Sequence, residues 1–228
     1  MYPQVCPMCG KITPKEEPGK ICSSCRKHIV YIKEPRCMKC GKPVSSVEQE
    51  FCYDCSRYNY AYDQGRSLWL HSGEAAAAIY QMKFHNKRCY AAVFAQEMAV
   101  RYGEWIRRNF VEEIIPVPLH KSRKKARGFN QAELLAEELG RIMEIPVNKK
   151  VVFRIRNTKP QKFLDDRQRQ DNLKDAFGVS RTWNVKEKVL LIDDIYTTGN
   201  TIHRISSLLK RVGVQKVYFL TISIGQGL

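Results

Sequence analysis

The sequence predicts an α/β protein, a parallel sheet flanked by helices, with a small cysteine-rich head at its N-terminus. Three observations carry this expectation. From residue 66 onward, short apolar runs with strand character alternate with helical patterns, the order that builds parallel sheets. Residues 189–212 pass from a continuous apolar strand through a small-residue turn directly into a helix. Eight of the nine cysteines fall within the first 55 residues, as four Cys-x-x-Cys pairs. The boundary is expected at residue 60, giving a head of 1–60 and an α/β domain of 61–228. A chain of 228 residues that is 43% apolar can bury a real core, and with 27% charged residues it does not read as disordered.

In the head, the pairs are Cys6/Cys9, Cys22/Cys25, Cys37/Cys40 and Cys52/Cys55. Two thiolates two residues apart grip one tetrahedral Zn²⁺, and a second pair closes the site. Glycine follows the first pair of each half, in CPMCG and CMKCG, where the chain turns tightly around a metal. Joining neighbouring pairs gives two tandem ribbons, Cys6/Cys9/Cys22/Cys25 and Cys37/Cys40/Cys52/Cys55; the other two pairings stay open on sequence alone. All positions would be protein ligands, so the two zinc ions are expected to be structural and to supply much of the head's folding free energy. No secretory signal pattern opens the chain, and no apolar run approaches the ~20 residues of a membrane span. Thiolate ligands in a reducing cytoplasm are therefore expected rather than disulfides. Cys89, in a helical stretch, is expected to be buried or inert.

After the head, Tyr58, Tyr60 and Tyr62 alternate as in a strand, either a base-stacking platform or a packing face, with packing favoured. RSLWL reads as a short strand, with Ser72 as a candidate N-cap for the alanine-rich helix that follows. Helical patterning then breaks near His85–Arg88. VEEIIPVPLH is a short strand ended by prolines. KSRKKARGFNQ reads as a basic loop, QAELLAEELGRIM as an amphipathic helix, and residues 154–174 as a long polar loop of the kind that usually has a function.

Charge and the turn at 197–201 point to a phosphate ligand. The net charge is +16, and +8 of it lies within residues 121–174. Such a concentration attracts polyanions, nucleic acid or a phosphorylated small molecule. Lys121, Arg123, Lys124 and Lys125 are the candidate nucleic-acid contacts. In VLLIDDIYTTGNT, Val189–Ile192 form a buried strand, and Asp193 and Asp194 stand at its C-terminal end, where open α/β sheets bind ligands. The backbone of Thr197, Thr198, Gly199, Asn200 and Thr201, with the threonine hydroxyls, makes a monophosphate cradle at a helix N-terminus. Carboxylates beside such a cradle suit a sugar phosphate, because they accept hydrogen bonds from vicinal hydroxyls and hold Mg²⁺ nearby.

Those thirteen positions, 189–201, resemble the 5-phosphoribosyl-1-diphosphate (PRPP) fingerprint of type I phosphoribosyltransferases, with Tyr196 where an aliphatic residue is usual. PVPLHKSRKKARGFNQ, the stretch RNTKPQKFLDDRQRQDNLKDAF and the cysteine head together resemble the ComF family of competence proteins, ComFC-type, over essentially the whole chain. The resemblance implies zinc ribbons on a type I phosphoribosyltransferase fold. It also implies a role with incoming single-stranded DNA in natural transformation, beside the helicase-like ATPase ComFA. Residue by residue, it gives the ribose hydroxyls to Asp193 and Asp194 and the 5′-phosphate to Thr197–Thr201. The diphosphate falls to Pro116, Val117, Pro118 and Leu119, with Arg127 within reach. Arg156, Lys159, Gln161 and Arg167 lie where the family fold places a flexible catalytic loop. Were the chain catalytic, Asp193, Asp194 and Arg167 would serve displacement of diphosphate from ribose C1, with Mg²⁺. No segment dictates an acceptor, so turnover is left open on sequence.

Overall fold

The structure is a computed structural model and describes residues 5–13, 20–155 and 176–225. Its elements run α1 (Ser23–His28), α2 (Tyr53–Arg57), β1 (Gln64–Leu70), α3 (Gly73–Phe84), α4 (Tyr90–Arg108), β2 (Glu113–Pro116) and α5 (Lys121–Arg127). There follow α6 (Gln131–Met143), β3 (Val152–Arg154), β4 (Phe177–Val179), β5 (Lys188–Tyr196), α7 (Asn200–Arg211) and β6 (Lys216–Ile224). Four strands form one parallel sheet in the order β1-β6-β5-β2, and β3 and β4 make a small antiparallel pair.

The alternation of side chains along β5 sorts its residues onto two faces. Leu190 and Ile192 pack with Met82 of α3, Phe94 and Met98 of α4, and Leu135 and Leu139 of α6. Val189 and Leu191 pack with Ile202, Ile205 and Leu209 of α7 and with Val152 and Phe177 of the small pair. All four residues are wholly buried, which is why this strand reads as an unbroken apolar run. On one face, α6 is set by Asn130, whose side-chain oxygen accepts from the Ala132 N–H at 3.1 Å.

The cysteine head folds against both faces at the β1 edge. Cys6, Ile21 and Ile29 belong to the apolar cluster of Trp69 and Phe94, whereas Cys37, Cys40 and Cys52 share a cluster with Phe219 and Ile202. Between them, the chain near Tyr31 runs antiparallel along β1: Ile32 N–H donates to the Leu68 carbonyl and Leu70 N–H to the Val30 carbonyl, each at 3.2 Å. An edge strand that would otherwise present bare hydrogen-bonding groups is covered.

Several sequence expectations are corrected. KSRKKAR is helix α5 rather than a loop: His120 Nδ1 accepts from Ser122 N–H at its start, and Gly128, at φ +82°, ends it. The tyrosine segment is not a strand; Tyr60 and Tyr62 are buried and stack at 5.3 Å, whereas Tyr58 is exposed. The packing alternative holds for two of the three rings. β5 continues through both aspartates to Tyr196 instead of stopping before them. Ser72 occupies the N-cap position of α3 without a side-chain capping bond, and Cys89 is exposed at the start of α4.

Candidate functional site

The eight head cysteines gather as two quartets, Cys6/Cys9/Cys22/Cys25 and Cys37/Cys40/Cys52/Cys55, each with its sulfurs within 4.8 Å of one another. Cys9 and Cys22 Sγ are 3.8 Å apart, and Cys40 and Cys52 Sγ 3.5 Å. Tetrahedral zinc with Zn–S bonds of ~2.3 Å requires sulfur–sulfur separations of ~3.8 Å, so these donors fit the ion. They are also far too distant for disulfides. Four thiolates leave no position for substrate, and the zinc is structural. Metal analysis of purified protein is expected to find two zinc ions per chain. A reproducible single equivalent would remove one quartet from this account.

The second site forms where β2 stops. Pro116 pairs with Ile192, and Val117 N–H still donates to the Ile192 carbonyl at 2.9 Å. Proline has no N–H to continue a ladder, and with Pro118 next the chain leaves the sheet. Beyond Ile192, β5 is therefore uncovered on that side, and Asp193 and Asp194 stand in the gap. Strand alternation sends them to opposite faces. Asp194, on the α3–α6 face, is buried, meets Lys83 Nζ at 2.9 Å and accepts a hydrogen bond from Gln131 Nε2. Asp193 is half-buried on the other face, and its Oδ1 accepts from Asp194 N–H at 2.8 Å. Loss of hydration, together with the neighbouring Asp194 carboxylate, pushes the Asp193 carboxyl up to about 8; Lys83 and Arg154 oppose the shift only in part.

These residues open into a cleft of about 670 Å³, in the range of small-molecule sites. Its walls carry four cations, Lys83, Arg123, Arg127 and Arg154, against the two carboxylates, so the cleft suits a ligand with several negative charges. Thr197 and Thr201, at the N-terminus of α7, line it as well.

The turn itself is braced from the head. Tyr60 Oη donates to the Thr198 carbonyl at 2.9 Å, and the Tyr62 and Tyr196 hydroxyls share a hydrogen bond of 2.7 Å. Ala61 N–H donates to His203 Nδ1 at 2.9 Å, which places the neutral ring's proton on Nε2. Tyr196, the departure in the fingerprint, thus ties the turn to the tyrosine segment. Gly199 sits at φ +78° directly above it, where a Cβ would lie 2.3 Å from the Tyr196 hydroxyl oxygen. Gly199→Ala is expected to cost about 1–3 kcal/mol through backbone strain and overpacking. A melting curve unchanged from the parent would show that the turn yields more readily than its packing implies.

Of the residues singled out by sequence, Val117, Pro118, Leu119, Arg127, Asp193, Asp194, Thr197 and Thr201 meet in the cleft. Pro116 ends β2 beneath it, and Gly199 is buried in the turn. Thr198 and Asn200 line a separate cavity of about 200 Å³ facing Tyr58 and Tyr60. The basic quartet Lys121, Arg123, Lys124 and Lys125 is divided among different surroundings. Arg123 turns into the cleft, Lys124 is paired with Glu133 at 2.8 Å, and Lys121 and Lys125 are exposed. Arg156, Lys159, Gln161 and Arg167 lie outside the described residues. Lys83, Arg154, Asn130, Gln131 and His71 reach the cleft without having been anticipated. Asn130 and Gln131, in ARGFNQ beside Arg127, carried a local signal, and Arg154 opens the 154–174 stretch expected to be a loop but ends strand β3.

A zinc-ribbon head on a phosphoribosyltransferase fold is the class of protein that this architecture defines. The family description "Double zinc ribbon domain" matches residues 1–56, and "Phosphoribosyl transferase domain" matches residues 127–223. The chain belongs to the ComF family of competence proteins. It is 33% identical to Competence protein F of Haemophilus influenzae, over 86% of this chain and 87% of that protein. Competence protein ComFC of Bacillus subtilis is 30% identical, over 81% of this chain and 75% of that one. DNA utilization protein YhgH of Escherichia coli K12 is 28% identical, over 86% and 87%.

Proposed function

We propose that the cleft binds PRPP or a related sugar phosphate together with Mg²⁺, in a protein that handles incoming single-stranded DNA during natural transformation beside a ComFA-type ATPase. The observation that carries the ligand is the convergence of Asp193 and Asp194 with Thr197, Thr201 and four cations in one cleft. The carboxylates suit the ribose hydroxyls, the α7 N-terminus suits the 5′-phosphate, and Arg123, Arg127 and Arg154 suit a diphosphate. Mg²⁺ bound with the diphosphate would supply further positive charge there. The DNA setting draws on the names of the relatives, competence and DNA utilization proteins.

A second reading adds turnover: an active Mg²⁺-dependent phosphoribosyltransferase. The raised Asp193 carboxyl favours it, since a group titrating near neutrality can accept a proton from an incoming nucleophile. In that reaction the ribose C1–oxygen bond to diphosphate breaks as the C1–acceptor bond forms, and the cleft arginines stabilise charge on the departing diphosphate.

Calorimetric titration of Mg²⁺–PRPP into the zinc-loaded protein tests the ligand. Saturable binding is expected, weakened at least tenfold in an Asp193→Asn/Asp194→Asn double variant that keeps its fold. No heat at millimolar PRPP would refute a sugar-phosphate site.

A further inference from the structure

The rim of the cleft carries two aromatic rings that the sugar-phosphate reading does not use. Tyr80 and Phe84 lie four residues apart on α3, hence on one face. They are 54% and 60% exposed, and their ring centroids are 4.8 Å apart. The His85 ring extends the group at 5.5 Å from Tyr80. Phe84 also forms part of the cleft wall. The Arg127 guanidinium lies 4.9 Å from the Phe84 ring centre, and that of exposed Arg88 lies 4.7 Å from the ring centre of buried Phe129.

Single exposed aromatics are common on protein surfaces, but two adjoining exposed rings, tilted 42° to one another and with a cation over one of them, at the mouth of a polar cleft are a particular arrangement. Aromatic faces interleaved with positive charge are how proteins hold single-stranded nucleic acid: bases stack on the rings, and phosphates meet the cations. A duplex keeps its base faces inside its own stack, so it cannot use such a surface. Charge complementarity selects the occupant, because Arg127 at the Phe84 ring is joined by exposed Arg88, beside Gly128 at the end of α5, and by exposed Lys121 and Lys125 on α5. We infer that Tyr80 and Phe84 form a base-stacking platform for a single-stranded nucleic acid whose phosphates lie along Arg88, Arg127 and α5, bringing one nucleotide to the mouth of the cleft. This rests on the proposal that the protein handles single-stranded DNA, and gives that activity a place on the molecule.

The test is fluorescence anisotropy with a labelled oligothymidylate and the full-length, zinc-loaded chain. Both rings are exposed, so Tyr80→Ala/Phe84→Ala should fold; zinc content and melting temperature check this. The double variant is expected to bind about ten- to a hundredfold more weakly, with an unchanged dependence on salt, because its phosphate contacts remain. Tyr80→Trp/Phe84→Trp should restore affinity. An abasic strand should bind the wild type only as weakly as oligothymidylate binds the alanine variant. Equal affinity of wild type and alanine variant for oligothymidylate would overturn the platform. So would an equal loss on the abasic strand, or displacement of the strand by free thymidine at the same base concentration. If the wild type binds no strand at low salt, the DNA-handling proposal fails and the platform with it. Loss of Mg²⁺–PRPP binding alone would leave the platform standing, since the two ligands are measured separately.

Discussion

Chelation of zinc is expected to unfold the chain well beyond its first 56 residues. Peptide-scale structural zinc sites bind with apparent free energies of about 10–16 kcal/mol, comparable to the whole stability of an ordinary domain. Here the metal also organises surfaces on which the sheet depends. Cys6 lies in one apolar cluster with Trp69 and Phe94, and Cys37, Cys40 and Cys52 in another with Phe219 and Ile202. Stripped of metal, four clustered thiolates per site would have to protonate or separate, and the aromatic faces of β1 and β6 would lose their cover. Hydrogen exchange is the measurement. After chelation, protection of the β5 and β6 amides should fall along with that of residues 20–60. If β5 and β6 stayed protected while the head exchanged, the ribbons would be an independent appendage. Cys40→Ser is the milder version, and it should loosen the 197–201 turn through Tyr60 and Tyr62 before it affects α6.

The second large effect concerns pH. The folded-state pKa of Asp193 is raised, to about 8, above that of an ordinary carboxyl. Between the ordinary value and the raised one, the native state holds a proton that the unfolded chain releases. The contribution of Asp193 to the stability of the ligand-free protein should therefore decline as pH rises from about 4 towards 8, because this carboxyl holds more proton in the native state. Asp193→Asn removes that contribution. The variant should match the parent at pH 4 and become the more stable of the two at pH 8. The amide oxygen can still accept from Asp194 N–H, so the local backbone is preserved. Ligand binding should run the other way. If the ionised carboxylate is the form that meets the ribose hydroxyls, Mg²⁺–PRPP affinity should rise by up to tenfold per pH unit below the raised pKa and then level off. Parallel stability profiles of parent and variant would remove Asp193 from both effects.

What could be read before folding was whatever the chain encodes locally. β5, its turn and α7 were legible because a continuous apolar strand, two acids and a glycine-containing turn occur in one short stretch. α6 was legible from its amphipathic period alone. α5 was not: KSRKKAR has no apolar face to give a period, and its helix is defined at its ends by the His120 cap and the left-handed Gly128. The tyrosine alternation suggested a strand, yet the segment is held by ring stacking and hydroxyl contacts to residues more than 130 positions away. The cleft cations divide in the same way. Arg127 sits within a recognisable motif, whereas Lys83 and Arg154 arrive from α3 and β3 and meet Asp194 and Asp193 only through the topology. The two carboxylates, adjacent in sequence, take different partners because a strand turns neighbours to opposite faces.

The strip of chain around Tyr31 that lies along β1 has a consequence for assembly. At the other margin of the sheet, Val147 forms a parallel bridge to Ile114 of β2. Among the described residues, both outer strands therefore already have a neighbour. Among the described residues, the margins beside Leu68–Leu70 and Ile114 are occupied, so a strand added there would first have to displace these segments. A partner that leaves these segments in place would read those two margins by helices, loops and charge rather than by sharing the sheet.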